Sequence, residues 1–167
     1  MSTSSTSNVI HNKIRTDAYF RLALEAHMQG DFAKAIFFYK KSIDRQPSAE
    51  AHTFLGWAYS LLNKLEMAIQ HCQKATEIDP EFGNAWNDIG AYYIKLGKFN
   101  EAIPYLERAT RCEKYDAPHY PHFNLSRIYA KKGMLRKTQE ELKMALKKDP
   151  FYAPAIDALK KLNEEMH

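Results

Sequence analysis

Comparison of this 167-residue chain with itself predicts an all-α fold, a right-handed α-α superhelix of four helix-turn-helix repeats closed by a C-terminal capping helix. Three observations carry that prediction. Pro47, Pro80 and Pro150 each end an apolar segment, in SIDRQP, ATEIDP and ALKKDP. Ala35, Ala68 and Ala102 recur 33 and 34 residues apart, each opening a run: AIFFY, AIQHC, AIPYL. LGWAY at 55–59, IGAYY at 89–93 and LSRIY at 125–129 stand at matching distances upstream. A period of this length marks stacked hairpins, none of which can bury its apolar face alone.

The third repeat is the fullest, with Trp86, Ile89, Gly90, Tyr93, Gly97, Phe99, Ala102, Leu106 and Ala109. Leu55, Gly56, Tyr59, Ala68, Cys72, Ala75 and Pro80 repeat its pattern in the second, and Tyr19, Leu22, Ala23, Gly30, Phe32, Ala35, Tyr39 and Pro47 in the first. The fourth has Leu125, Ser126, Tyr129, Gly133, Leu135, Leu142, Ala145 and Pro150. Over residues 16–150 the chain thereby resembles the tetratricopeptide repeat, in the manner of small bacterial members of that family. The resemblance implies a superhelix whose first helices (A) line a concave groove and whose second helices (B) lie outside. Two departures stand out. Lys114 replaces the closing Pro of repeat three, which YDAPHYP at 115–121 lengthens by about two residues, and Thr138 stands where a small Ala is expected. An altered angle between repeats three and four is the expected consequence.

In chain order, residues 1–15, rich in Ser and Thr, are expected to be disordered. The repeats are placed at 16–48, 49–82, 83–118 and 119–152, with a capping helix over 153–167. Helices are expected at about 16–29, 32–46, 49–62, 65–78, 83–96, 99–113, 120–132, 135–148 and 152–165. Positions 52, 55, 56 and 59, like 86, 89, 90 and 93, fall at i, i+3, i+4, i+7 on one helix face, His52 being the polar exception. Gly56 and Gly90 face small alanines, so the helices of a hairpin can approach closely. Gly30, Gly97 and Gly133, with Asn63 as substitute, supply the left-handed residue that ends each A helix. Pro104 falls inside the sixth helix, close enough to its first turn that a slight bend suffices. Ala155, Ile156, Leu159 and Leu162 are expected to pack the last helix on repeat four, with Lys160, Lys161, Glu164 and Glu165 in water.

Composition excludes several classes. Cys72 and Cys112 form no Cys-x-x-Cys spacing, so neither a disulfide framework nor a zinc site is indicated. No apolar run approaches the ~18 residues of a membrane span, and the expected location is cytoplasmic. His119 and His122, beside Asp116, read as a polar loop and not as metal ligands. With no phosphate loop, metalloprotease motif or Ser/Cys–His pairing, the chain is read as a non-enzyme without cofactor.

The surface remains. The resemblance places the groove on helix-A residues next to the buried face, giving as candidates Phe20, Leu24, Phe54, Trp57, Asn87, Asp88, Lys95, Phe123, Asn124, Arg127 and Lys131. Its first half is apolar and its second half polar and basic. Thr53, Trp57, Phe20 and Leu24 stand where a clamp for chaperone C-terminal tails would need Lys and Asn, which disfavours that specialisation. The expected function is an interaction adaptor or assembly factor that holds a partner peptide or helix. Between residues 131 and 149 seven basic side chains face three acids. That excess equals the entire net charge of +4 and leaves nucleic-acid binding as an alternative. A further alternative is a self-occluded or oligomerising scaffold, with Val9, Ile10 and Ile14 in the groove.

Overall fold

The computed structural model describes residues 17–165 and holds nine helices among them. These are α1 (Ala18–Met28), α2 (Phe32–Arg45), α3 (Ala49–Leu61), α4 (Leu65–Ile78), α5 (Gly83–Lys95), α6 (Phe99–Ala109), α7 (His119–Lys131), α8 (Leu135–Lys148) and α9 (Ala153–Glu165). Each odd helix up to α7 pairs with the next in a hairpin, and successive hairpins stack, α2 on α3, α4 on α5 and α6 on α7. The described residues contain no strand, only an isolated parallel bridge between Phe82 and Lys114. The expected disorder of 1–15, like the suggestion for Val9, Ile10 and Ile14, lies outside the described residues.

Short polar side chains start the first helices. The Asp17 carboxylate accepts the Tyr19 and Phe20 N–H groups at 3.0 and 3.3 Å and also the Ser42 hydroxyl. Asp31 and Ser48 accept the N–H groups of Lys34 and Ala51, so donors that a helix start leaves unpaired are satisfied. The A helices end as the sequence predicts, on Gly30, Asn63, Gly97 and Gly133 with φ of 77°, 57°, 71° and 68°.

Each hairpin closes on small residues. A Cβ on Gly56 would stand 2.9 Å from the Ala68 carbonyl oxygen and 2.8 Å from Cys72 Sγ; one on Gly90 would meet Leu106 at 2.5 Å. Tyr39, Cys72, Leu106 and Leu142, equivalent residues of the four B helices, are all buried. One continuous core runs from repeat one to the start of repeat three. Smaller ones join repeats three and four and then repeat four and the cap.

Two expectations need correction. The sixth helix stops at Ala109 and not near 113, although it does run through Pro104. Thr110 turns its hydroxyl onto the Glu107 carbonyl, and the chain is drawn back to the start of α5. There Arg108 pairs with Glu81, the Glu113 N–H donates to Glu81 at 3.3 Å, and Lys114 Nζ donates to Asp79 at 2.9 Å. In the cap, Ile156 faces outward while Ala155, Ala158, Leu159 and Leu162 pack, because 155, 158, 159 and 162 share one stripe and 156 lies ~100° off it. At the junction of repeats three and four α6 packs on α7 more sparsely than α2 on α3. Thr138 fits its Ala site by donating its hydroxyl to the Met134 carbonyl at 3.1 Å.

Candidate functional site

The A helices stand side by side, α3 against α5 and α5 against α7, with Phe20 and His27 of α1 touching Phe54 and Trp57 of α3. Superposing the repeats on Ala23, Gly56, Gly90 and Ser126 gives four equivalent positions that face away from the hairpin cores. Leu24, Trp57, Ala91 and Arg127 form one row across the helices. One turn further along, Met28, Leu61, Lys95 and Lys131 form a second. Both rows run from apolar to basic over about three interhelical spacings.

At the apolar end, Trp57 is 46% exposed and Met28 89%. The Trp57 indole lies against the buried His27 ring, tilted at a centroid distance of 4.2 Å, and near the Phe54 ring at 5.9 Å, with about half of the residue left exposed. Trp57 therefore both joins adjacent A helices and offers an aromatic surface. His27 Nδ1 lies 3.3 Å from the Tyr39 hydroxyl, and burial lowers the pKa of its imidazole, which keeps it neutral beneath the indole. Phe20 and Phe54 are placed differently from the expectation. Their rings meet edge to face at 5.6 Å, each also contacts Tyr39, and both are packed against the main core. They support the floor under Trp57 more than they face a ligand, because Tyr39 and His27 fill the space their rings point towards. Leu24 is half-buried beside them.

At the centre the Asn124 side-chain N–H donates to Asn87 Oδ1 at 3.0 Å, and Arg127 Nη1 donates to Asn124 Oδ1 at 3.4 Å. Both asparagines are 8% exposed, so they tie α5 to α7 and steer the guanidinium. Burial pushes the Asp88 carboxyl up to about 7, against the pull of Asn87 and Lys95. Phe123 packs away from the groove on Tyr152, at 5.2 Å, and on the cap. Beyond Ala91 a cavity of about 510 Å³ is lined by Ile94, Phe99, Arg127, Ala130 and Lys131. Of the expected side chains, then, Trp57, Lys95, Arg127 and Lys131 stand open at the two ends of the rows. Phe20 and Phe54 pack beside Trp57, Asn87 and Asn124 support Arg127, and Phe123 packs on the cap instead.

Sequence reasoning located the lengthened loop after α6 but missed its contacts with the A helices. The Gly83 N–H donates to the Lys114 carbonyl at 3.0 Å, and a Cβ on Gly83 would lie 2.7 Å from the Tyr115 ring, so Tyr115 sits directly on the start of α5. Burial raises the Tyr115 phenol pKa, with Asp88 a secondary cause. Asp116 acts on Glu50 of α3, whose carboxyl is raised first by its crowded setting and then by that charge. The groove thus has acidic groups near the helix N-termini, Glu50 and Asp116, opposite the basic C-terminal edge. The signal was the two-residue excess of repeat three, since an insertion after a B helix falls on the N-terminal edge of the next A helix. Phe99 was also missed as a lining residue because its place in the repeat pattern assigns it to a B-helix start.

His119 and His122 have ordinary partners, Asp149 at 4.0 Å and Glu141 at 2.8 Å. Among the described residues no three His, Cys, Asp or Glu gather as metal ligands, and no helix is long and apolar enough to cross a membrane.

Comparison with known proteins fits this geometry. The chain is 26% identical over 113 residues to the Protein CTR9 homolog of Arabidopsis thaliana, covering 64% of this chain and 10% of that one. It is 24% identical over 141 residues to the TPR repeat-containing protein YpiA of Bacillus subtilis, covering 83% of this chain and 32% of that one. The chain therefore spans between a tenth and a third of these relatives. Among solved structures, PilF of Pseudomonas aeruginosa superposes with a TM-score of 0.83 at 20% identity, covering 90% of this chain and 68% of that one. PilW, described as a type IV pilus biogenesis factor, superposes at 0.77 and 21%, covering 96% and 70%. Tetratricopeptide repeat models match residues 16–48, 49–82 and 71–103, and with four such hairpins in the fold the chain belongs to the tetratricopeptide repeat family.

Proposed function

We propose that this protein is a non-catalytic interaction adaptor or assembly factor that lays an extended partner segment across its A helices. The observation that carries this reading is the pair of rows Leu24–Trp57–Ala91–Arg127 and Met28–Leu61–Lys95–Lys131. They set exposed apolar surface at one end and cations without an acidic partner among the described residues at the other. Exposed apolar area gathered in a concave face is the ordinary mark of a binding surface. The partner segment carries an aliphatic or aromatic anchor for Trp57 and Leu61 and a carboxylate for Arg127 and Lys131, where charge-assisted bonds form. PilW, among the similar folds, is itself named as a biogenesis factor, and an assembly role for this chain accords with that.

The basic face of α8 is a weaker basis for nucleic-acid binding, because the groove supplies both apolar and charged contacts whereas that face supplies charge alone. Selection from a peptide library, followed by affinity measurement across salt concentrations, tests the reading. Arg127→Glu should weaken a selected peptide mainly at low salt, since exposed charges are screened over ~8 Å at physiological ionic strength. Selection of no sequence preference, or a steep salt dependence that survives Arg127→Glu and follows α8 lysine substitutions, would overturn it.

A further inference from the structure

Each A helix after the first carries the preceding hairpin on one of its faces, α2 stacking on α3, α4 on α5 and α6 on α7. The positions that take this contact are the same in every repeat. Leu55, Ile89 and Leu125 are equivalent and buried, and so are Ala51, Ala85 and Pro121 one turn before them. Their counterparts on α1, Leu22 and Ala18, are exposed, Leu22 at 40%, with Tyr19 beside them at 38%. Nearer the end of the helix Ala58, Tyr92 and Ile128 are buried in the later repeats, but their counterpart is the exposed Glu25. This face of α1 is therefore apolar over its first turn and a half and charged beyond. That division suits a short occupant at the start of the helix and not a whole hairpin.

We infer that the segment Val9–Ile14 of this same chain covers that face, in the place where the end of a B helix lies before each later A helix. Register supports the assignment. Ile10 stands eight residues before Ala18, as Ile43 at the end of α2 stands eight before Ala51, and Ile43 packs against the main core. Ile14, four residues on from Ile10, falls on the same side of a helical turn. Apart from Met1, the apolar residues before Asp17 are Val9, Ile10 and Ile14, so they gather next to the open face and the polar residues 2–8 take no part. Reach is ample: the seven steps from Ile10 to Asp17 span up to ~23 Å at about 3.3 Å each, against about 8–10 Å between packed helices. So short a tether also gives an effective concentration on the order of millimolar, which favours this segment over a second copy of the chain. Leu22 and the groove residue Leu24 lie ~200° apart around α1, so a segment seated on one leaves the other free. The inference is thus independent of the groove reading.

The test uses the full chain with labelled Ile, Leu and Val methyl groups, followed by nuclear magnetic resonance. The Ile10 methyls should show nuclear Overhauser contacts to the Leu22 methyls, and isotope-filtered spectra of mixed labelled and unlabelled chains should show none between molecules. Ile10→Ser should shift the Leu22 methyls, leave those of Leu24 and Leu61 in place, and lower the melting temperature by about 2–4 °C, the scale of one modest packing contact in a chain of this size. Leu22→Ser, at a part-exposed position that the fold tolerates, should lower it by a similar amount. The double variant should fall hardly further, because residues in contact are not additive. Contacts from Ile10 to Leu24 or Leu61 would place the segment in the groove and overturn the inference. Contacts seen only between molecules would give the face to a second copy and overturn it too, as would the absence of any Ile10–Leu22 contact or full additivity of the two substitutions.

Discussion

Trp57→Ala should weaken a groove-bound peptide by up to about 100-fold while the protein stays folded. The indole is 46% exposed. Taking ~250 Å² for the area of a Trp side chain leaves roughly 115 Å² for a partner to cover. At ~25 cal/mol per Å² that is about 3 kcal/mol, or two decades of affinity. This is a ceiling, reached only if the partner covers all of the exposed part. Within the free protein the ring's main contact is His27 at 4.2 Å, and an aromatic contact is worth about 1 kcal/mol. For a chain of this size that corresponds to a fall of about 2–4 °C in melting temperature. Phe54→Ala should behave in the opposite way, because its ring is packed among Phe20, His27, Tyr39 and Trp57. Removing it opens a cavity at a cost of roughly 2–4 kcal/mol, so the loss shows first in stability. Fluorescence anisotropy of a selected peptide at low and high salt, beside thermal melts, measures both effects. Affinity unchanged within threefold in Trp57→Ala would refute the reasoning, as would a melting temperature that falls as far as in Phe54→Ala.

Gly56→Ala should destabilise by about 1 kcal/mol in urea denaturation: Ala gains ~1 kcal/mol in helix propensity, but its Cβ would press on the Ala68 carbonyl at 2.9 Å, with overpacking costing ~1–3 kcal/mol. A gain in stability would show that the hairpin has slack. Removal of residues 151–167 should uncover Leu142 and Ala145 and lower the melting temperature or cause association, and a monomer with unchanged melting would refute the cap assignment. Stability should also fall in acid through the part-buried pair His52–His71, whose Nδ1 atoms lie 3.1 Å apart. Burial first, then His52 and the nearby Lys74 and Lys40, hold His71 down to about 4 against 6.5 in the unfolded chain. The unfolded chain thus binds the extra proton between those values, so stability is full above about pH 6.5 and declines towards 4, by roughly 3 kcal/mol at most. Asp88, raised to about 7, titrates in the opposite sense, so the decline is read as the difference from His52→Gln/His71→Gln, and an identical profile would refute it.

The fold was legible because its causes are local and repeated. Gly56 and Gly90 must be small where α4 and α6 cross them, and Gly30, Gly97 and Gly133 must adopt positive φ. Each requirement recurs at the same offset, so four weak signals add. The site was legible only where position alone decides exposure, at Trp57, Lys95, Arg127 and Lys131. Phe20 and Phe54 stand three and two residues before Ala23 and Gly56, at positions whose repeat equivalents range from exposed Arg21 to buried Thr53, Asn87 and Asn124. A large ring there can turn inward onto Tyr39, and no periodicity records which way it turns. The acidic groups were hidden for another reason: Asp116 reaches Glu50 through a loop whose path depends on contacts between Lys114, Tyr115 and the start of α5.

The same geometry separates stability from recognition in this chain. The hairpin stripe of an A helix is held to small or fitted residues by the crossing helix, as at Gly56 against Ala68 and Gly90 against Leu106. The groove rows lie roughly one residue further round the helix, ~100° away, where no crossing helix constrains size or charge. Those rows can therefore carry Leu, Trp, Ala and Arg at equivalent positions on nearly identical hairpins. On the proposed groove reading, recognition is written in the differences between repeats and the fold in what they share. By that logic the position most open to redesign is Ala91, the one small residue in its row. Its half-buried side chain contributes least, so enlarging it to Leu should lower the melting temperature by no more than about 2–4 °C, the shift expected for ~1 kcal/mol. The same change should obstruct a segment that runs from Trp57 to the Arg127 cavity. A peptide bound equally well by Ala91→Leu would mean that the two ends of the groove serve separate ligands.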